Sequence, residues 1–268
     1  MDMKLSDSKT ELARRHNKVV YQDGNRVVKV FNDQKPASDV FNEALNTARI
    51  MGTDIKVSEV LEVSRIEGGE WNGSWAIANS YIPGRTLRDI ASEVSYPDKN
   101  NPDLDKLQEF TEKMVDLQIS VQNVKAPLLN RQKDKLARMV NSVKAIDPST
   151  RYDLELRVDG LHNIGAVCHG DFVPSNIIVA DDGELYICDW AHVTSGDPVV
   201  DAAQTYLLLK LRHPIWAESY LELYTRKADV AKQKIHYWVP VVAAAELARG
   251  RKRDEDFLMA QVNAGDFQ

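Results

Sequence analysis

Val167-Cys168-His169-Gly170-Asp171-Phe172-Val173-Pro174-Ser175-Asn176 is followed downstream by Cys188-Asp189-Trp190. An acid stands five residues ahead of an amide, and a second acid follows the amide by thirteen. Between them, Ile177-Ile178-Val179-Ala180 and Glu184-Leu185-Tyr186-Ile187-Cys188 are short β-branched-rich runs. Asp181-Asp182-Gly183 joins them, and its glycine supplies the positive φ of a turn, so the runs are expected to pair antiparallel. In such a pair the residue before the first strand lies beside the residue after the second, which brings Asn176 and Asp189 together at the open end.

An amide oxygen and a carboxylate converging on one point suit Mg2+. This ion takes a few protein oxygens, keeps waters and completes its shell with phosphate oxygens. Asp171 is spaced away from that pair, where its carboxylate can accept a proton from a hydroxyl and aim that hydroxyl at a γ-phosphate. An ordinary hairpin whose acids cap turns is the bland alternative, because Asp and Asn are common in loops. The ordered set of His-Gly-Asp, Asn and strand-terminal Asp is far rarer and favours a phosphoryl-transfer centre.

His169-Gly170-Asp171 to Asn176 and the strand end Ile187-Cys188-Asp189-Trp190 resemble the aminoglycoside phosphotransferase and choline-kinase-like enzymes, small-molecule relatives of protein kinases. Gly196-Asp197-Pro198-Val199-Val200-Asp201-Ala202-Ala203 is similar to the same family, and the resemblance covers nearly the whole chain. It implies an α+β, two-lobed protein-kinase-like fold. A small β-rich nucleotide-binding lobe would span 1–82, and a larger, mainly helical catalytic and substrate-binding lobe 83–268. The implied reaction transfers the γ-phosphoryl group of ATP or GTP to a hydroxyl of a small molecule, with Asp171 as base and Asn176 and Asp189 holding Mg2+. The resemblance further implies that backbone groups of Ser80, Tyr81 and Ile82 meet the adenine edge, and that Asp201 holds the catalytic loop. One departure is Val173, where many relatives carry His or another polar residue.

Upstream, Val19-Val20-Tyr21, Asp23-Gly24-Asn25 and Val27-Val28-Lys29-Val30-Phe31 read as a hairpin whose second strand carries Lys29. Asp39 to Met51 has apolar residues at Val40, Phe41, Ala44, Leu45, Ala48 and Met51, which is helical spacing, and Glu43 lies on that helix. Singly, such a Lys and Glu are ordinary surface residues. Beside the downstream motif they fit a strand lysine that holds the α- and β-phosphates and a helix glutamate that positions it. No glycine-rich loop precedes them, since His16-Asn17-Lys18-Val19-Val20 occupies its place. That leaves a nucleotide-binding pseudokinase or scaffold as one alternative, and a protein Ser/Thr kinase of the same fold as another.

Trp75 to Asn79 reads as the last strand of this region, with Pro83-Gly84 as a breaker. Leu104, Leu107, Phe110, Met114, Leu117 and Val121 form a helical stripe expected in the core. The polar loop from Ser95 to Pro102 is expected to be mobile. Lys133, Lys135, Arg138 and Lys144 read as a solvated helix face, with a binding role as the alternative, and Glu246, Asp254, Glu255 and Asp256 read as a solvated terminal helix, the resemblance offering an acceptor pocket lined by carboxylates as the alternative. Asp197-Pro198 reads as a helix N-cap with proline at the first position.

With 34 basic and 40 acidic side chains the net charge is -6, which argues against a nucleic-acid partner and is compatible with a cationic acceptor. The first residues lack a signal-type apolar core, and the apolar run near Tyr237 to Ala245 is too short to span a bilayer. A cytoplasmic protein with no membrane partner is therefore expected. Cys168 and Cys188 read as buried thiols without a redox or zinc role.

Overall fold

The computed structural model describes residues 2–95, 102–126, 128–250 and 252–264. It divides into two compact units, Met1–Thr86 with Ile177–His192, and Leu87–Asn176 with Val193–Gln268. Residues 96–101 of the loop expected to be mobile lie outside the described residues.

The first unit contains an antiparallel sheet of β1 (Thr10–Arg14), β2 (Lys18–Asp23), β3 (Arg26–Phe31), β4 (Val60–Arg65) and β5 (Trp75–Ser80), in the order β1-β2-β3-β5-β4. The β2–β3 hairpin closes on Gly24-Asn25, with Asp23 opposite Arg26. Gly24 has φ +65, which is why glycine stands at the first position of this two-residue loop. Side chains alternate across the sheet. Val28 and Val30 face one way, into a cluster with Val19, Tyr21, Ala76, Ala78, Met3 and Ile66. Phe31 faces the other way and packs with Ile77 against Val40 and Ala44 of the helix α1 (Ala37–Met51). Lys29, two residues before Phe31, shares the helix-covered face. A slip of one residue in β3 would carry its ammonium to the opposite side.

The buried stripe of α1 differs from the one its apolar spacing suggests. Val40, Glu43, Ala44, Thr47 and Ile50 are buried, whereas Phe41, Leu45 and Met51 are exposed by 46%, 49% and 37%. Polar residues thus take up part of the inward face, for a reason that lies in the site. A second, three-stranded sheet pairs Gly84–Thr86 with Ile177–Ala180, and the latter with Leu185–Ile187. The predicted hairpin forms, with Ile177 opposite Ile187 and Gly183 at φ +85 in the turn. Gly84 is required by close approach, because a Cβ there would meet the Val179 carbonyl oxygen and the Ala180 Cα at 2.3 and 2.7 Å.

The second unit is mostly helical and includes Leu104–Gln122, Gln132–Ser142, Pro198–Arg212, Pro214–Ala228 and Lys232–Ala248. Asp197 caps Pro198–Arg212 as expected, accepting the Val199 N–H at 2.8 Å. That helix is buried continuously from Val200 to Leu209, as befits a helix surrounded by others. Leu107, Met114 and Val121 of the Leu104–Gln122 stripe are buried, but Leu104 in its first turn is 60% exposed. A two-stranded ribbon, Ala166–Cys168 against Thr194–Gly196, leads into the loop that carries Asp171. Among the described residues no helix is long and apolar enough to cross a membrane.

Candidate active site

In the first unit Lys29, Glu43 and Asp189 come together as part of a string of five charges. Lys29 Nζ lies 2.8 Å from Glu43 Oε1 and 3.6 Å from Asp189 Oδ1. Lys18 Nζ reaches the other Asp189 oxygen at 3.1 Å, and Lys35 Nζ the other Glu43 oxygen at 2.9 Å. Glu43 can stand on the inward face of α1 because both of its oxygens are neutralised by ammonium groups. Thr47 closes the local structure by donating its hydroxyl to the Glu43 carbonyl at 3.0 Å.

Asp189 is held in place by the residues next to it in the chain. Its φ of +65 lies in the left-handed region, which Asp tolerates better than most residues. Trp190, fully buried, donates its indole N–H to the Ile187 carbonyl at 3.0 Å, and Asn46 of α1 donates to the Ala191 carbonyl at 3.4 Å. Burial acts against ionisation of Asp189, but Lys29 and Lys18 outweigh it and hold its carboxyl well below the usual range. Burial likewise acts to push Lys29 down, and the charges of Asp189 and Glu43 more than reverse this. Lys29, Glu43 and Asp189 therefore stay charged at neutral pH, and the string sets three lysines against two carboxylates. An excess of fixed positive charge of this kind suits phosphate oxygens.

In the second unit the structure brings Asp171 and Asn176 together. Asn176 Nδ2 donates to the Asp171 carbonyl at 2.9 Å and to its Oδ2 at 3.2 Å. The amide oxygen of Asn176 thus lies on the side of its planar group away from those contacts. Asp171 Oδ1 is buried and has no protein partner among the described residues. A shielded carboxylate oxygen costs free energy unless it is met by a donor, and a substrate hydroxyl is such a donor. His169 is not a competing base. It is fully buried, and its Nδ1 accepts the Asp171 backbone N–H at 3.2 Å, so in the neutral ring the proton sits on Nε2.

The loop is clamped from Pro198–Arg212 by Asp201, which is 1% exposed. Asp201 Oδ1 accepts the Gly170 N–H at 2.8 Å, and Oδ2 accepts Nε2 of Gln118 and of Gln122, each at 3.0 Å. Tyr220 and Tyr224 orient those two amides, each donating its hydroxyl at 2.7 Å to the amide oxygen. Asp201→Ala would remove an acceptor that three donors share, leaving Gln118 with Thr205 Oγ1 and Gln122 with the Pro198 carbonyl and the Gly170 N–H without its clamp, with an expected loss of about 3 kcal/mol. Thermal melting checks this, and a variant that melts with the native chain would contradict the clamp.

Ser80 is committed inside the protein through both its N–H and its carbonyl, which accepts the Ser58 hydroxyl, and Tyr81 through its N–H. The Ser80 N–H bonds the Glu59 carbonyl at 2.8 Å and the Tyr81 N–H the Asn25 carbonyl at 2.9 Å, whereas no backbone hydrogen bond of Ile82 is found among the described residues. Five charged residues of the structure had no reading of this kind in the sequence. Lys18 and Lys35 are single lysines without a pattern. Lys135 and Glu246, read as solvated, are part-buried and fully buried, and Arg249 donates to the Gly170 carbonyl at 3.1 Å. Cys168 is buried, but Cys188 is only partly so. Among the described residues no group of three or more His, Cys, Asp or Glu side chains is arranged for a metal. A nucleotide-bound Mg2+ needs none, since phosphate and water supply most of its shell.

Residues 13–234 match the family model described as the phosphotransferase enzyme family, APH. The chain belongs to that family and is a phosphotransferase. Solved structures of the aminoglycoside phosphotransferase APH(4)-Ia are similar to it, with a TM-score of 0.69, 13% identity, and coverage of 96% of this chain and 92% of that one. A thermostable mutant of that enzyme, in ternary complex with AMP-PNP and hygromycin B, gives a TM-score of 0.70 at the same identity and coverage. The GDP and kanamycin complex of APH(2")-IIIa is similar with a TM-score of 0.58, 16% identity, and coverage of 97% and 92%. These likenesses establish the α+β, two-lobed kinase-like fold. No curated protein is similar to this sequence at a comparable standard.

Proposed function

We propose that the chain transfers the γ-phosphoryl group of ATP or GTP to a hydroxyl of a small molecule. The observation that carries the reading is the buried Asp171 oxygen without a partner, in a loop built to hold it still. Asp171 would accept the hydroxyl proton. Lys29, positioned by Glu43, would hold phosphate oxygens, and backbone groups of Ser80 to Ile82 would meet the base, in a nucleotide-binding lobe at 1–82 and a catalytic lobe at 83–268. Asn176 and Asp189 supply an amide oxygen and a carboxylate, a donor set that fits Mg2+. When bound, that ion would neutralise charge on the phosphates. The remaining work is positioning, which accounts for the small number of side chains involved.

The structural neighbours crystallised with AMP-PNP, ADP or GDP and with hygromycin B or kanamycin support a nucleotide donor and a small-molecule acceptor. Calorimetric titration with ATP and GTP, with and without Mg2+, tests the first half of the reading. At least one nucleotide is expected to bind, and Mg2+ to strengthen it. No binding of either nucleotide under either condition would contradict it. Tight binding without transfer to any acceptor would instead fit a pseudokinase.

A further inference from the structure

Backbone N–H groups cradle a phosphate where successive residues alternate into the left-handed region, which is why glycine serves such loops. The turn Arg15-His16-Asn17, between β1 and β2, stands where such a loop would be and contains no glycine; the first glycine of the chain is Gly24. None of the three turn residues has a positive φ. The turn is instead tied to the end of β3. Asn32 donates its backbone N–H to the Asn17 carbonyl at 3.1 Å and its side-chain amide to the His16 carbonyl at 3.0 Å. The Arg15 N–H donates to the Lys18 carbonyl at 2.8 Å. A backbone held in this way offers a phosphate chain little.

What this corner of the sheet offers is an ammonium group. In the β2–β3 register Lys18 stands opposite Phe31 and Val20 opposite Lys29, so Lys18 and Lys29 lie on the same, helix-covered face. The three lysines of the charge string are committed to different degrees. Lys35 is bound to Glu43 at 2.9 Å and rests over the Phe31 ring at 4.5 Å. Lys29 is shared between Glu43 and Asp189, and keeps the first if the second is taken. Lys18 pairs with Asp189 alone among the described residues, through one oxygen at 3.1 Å. A metal ion on that oxygen and the Lys18 ammonium compete for one place. With only 20% of its side chain exposed, a displaced Lys18 needs another anion. Phosphate oxygens on the same metal supply it, and the flexible four-carbon stem of lysine allows the turn.

Resting on the phosphotransferase reading, we propose that Lys18 is a second phosphate-binding residue, standing in for a glycine-rich loop: it exchanges its bond to Asp189 for one to the nucleotide's phosphate oxygens when Mg2+ is taken up. Lys18 thus acts in two opposed ways. It helps the phosphates to bind, and it holds back the metal by covering a carboxylate oxygen that the metal needs.

The test is calorimetric titration of the full chain with AMP-PNP or GMP-PNP, whichever the native chain takes up, in EDTA and in Mg2+. Lys18→Met removes the charge and keeps a flexible stem. It is expected to weaken binding in EDTA by about tenfold or more, the worth of one charge-assisted hydrogen bond. The gain in affinity on adding Mg2+ should grow by about threefold or more in this variant, because the Asp189 oxygen is uncovered. Lys18→Arg should keep most of the metal-free affinity, and the parent nucleoside should bind the native chain and Lys18→Met alike. Unchanged metal-free affinity in Lys18→Met would overturn the proposal. So would a smaller gain from Mg2+, since Lys18 would then merely hold Asp189 in place for the metal. A matching loss for the nucleoside would overturn it as well, by placing the effect in the fold and not on the phosphates. A native chain that takes up neither nucleotide fails the phosphotransferase reading itself, an outcome distinct from these three, and the inference falls with it.

Discussion

Asp171→Ala is expected to lower phosphoryl transfer by about three orders of magnitude, the range typical of removing a positioned general base. Nucleotide affinity should stay near that of the native chain, because Asp171 makes its contacts within the loop and to Asn176. The substitution removes only the side chain, so the Asp201 clamp on Gly170 and the bond from the Asn176 side-chain amide to the carbonyl of residue 171 both persist. Initial rates and nucleotide titrations on the same preparation separate the two effects. Transfer at the native rate would remove Asp171 from its assigned role, and parallel loss of nucleotide binding would point to a collapsed loop.

Asp189→Ala is expected to act on the metal-dependent part of nucleotide binding. The native carboxylate stands between Lys18 and Lys29, and without it three ammonium groups share Glu43 alone. Breaking a buried pair by removing one partner costs on the order of 3–5 kcal/mol, and here the 24% exposure of Asp189 places the expected cost at the lower end. Charge sets the sign of the binding effect. Metal-free nucleotide should bind as well as before or better, since the site becomes more positive, whereas the gain on adding Mg2+ should disappear. Asp189→Asn separates lost charge from lost volume. An undiminished gain from Mg2+ in both variants would contradict the assignment of Asp189 to the metal.

Where the site was legible in the sequence, its chemistry was tied to a period. Lys29 sits in a β-branched strand whose alternation fixes its face, and Glu43 falls three residues after Val40 on the inward side of α1. The hairpin from Ile177 to Ile187 was marked by its turn glycine. Strand β1 was not legible, because Thr10–Arg14 is a largely exposed edge strand with no buried alternation to reveal it. The outward Phe41 and Leu45 misled for the opposite reason. They complete an apolar helical stripe, yet the helix turns Glu43, Asn46 and Thr47 inward to serve the charge string and the Trp190 segment.

Arg249 escaped because its role depends on a contact across a long stretch of chain. It meets a carbonyl 79 residues away, and nothing in the preceding helix marks the meeting. Asp201 was legible in position, as an acid one turn into a well-capped helix. Its two glutamine partners and their tyrosines were not, since polar residues within an apolar helical stripe leave no signature of the network they complete.

The most direct test of the phosphoryl-transfer assignment is mass spectrometry of hydroxyl compounds incubated with the protein, Mg2+ and ATP or GTP. The panel spans hydroxy acids and sugar phosphates, uncharged sugars, and choline and aminoglycosides. The expected result is the mass gain of one phosphoryl group on a member of the panel, lost with Asp171→Ala. No gain on any member, by a preparation that binds nucleotide, would contradict the assignment.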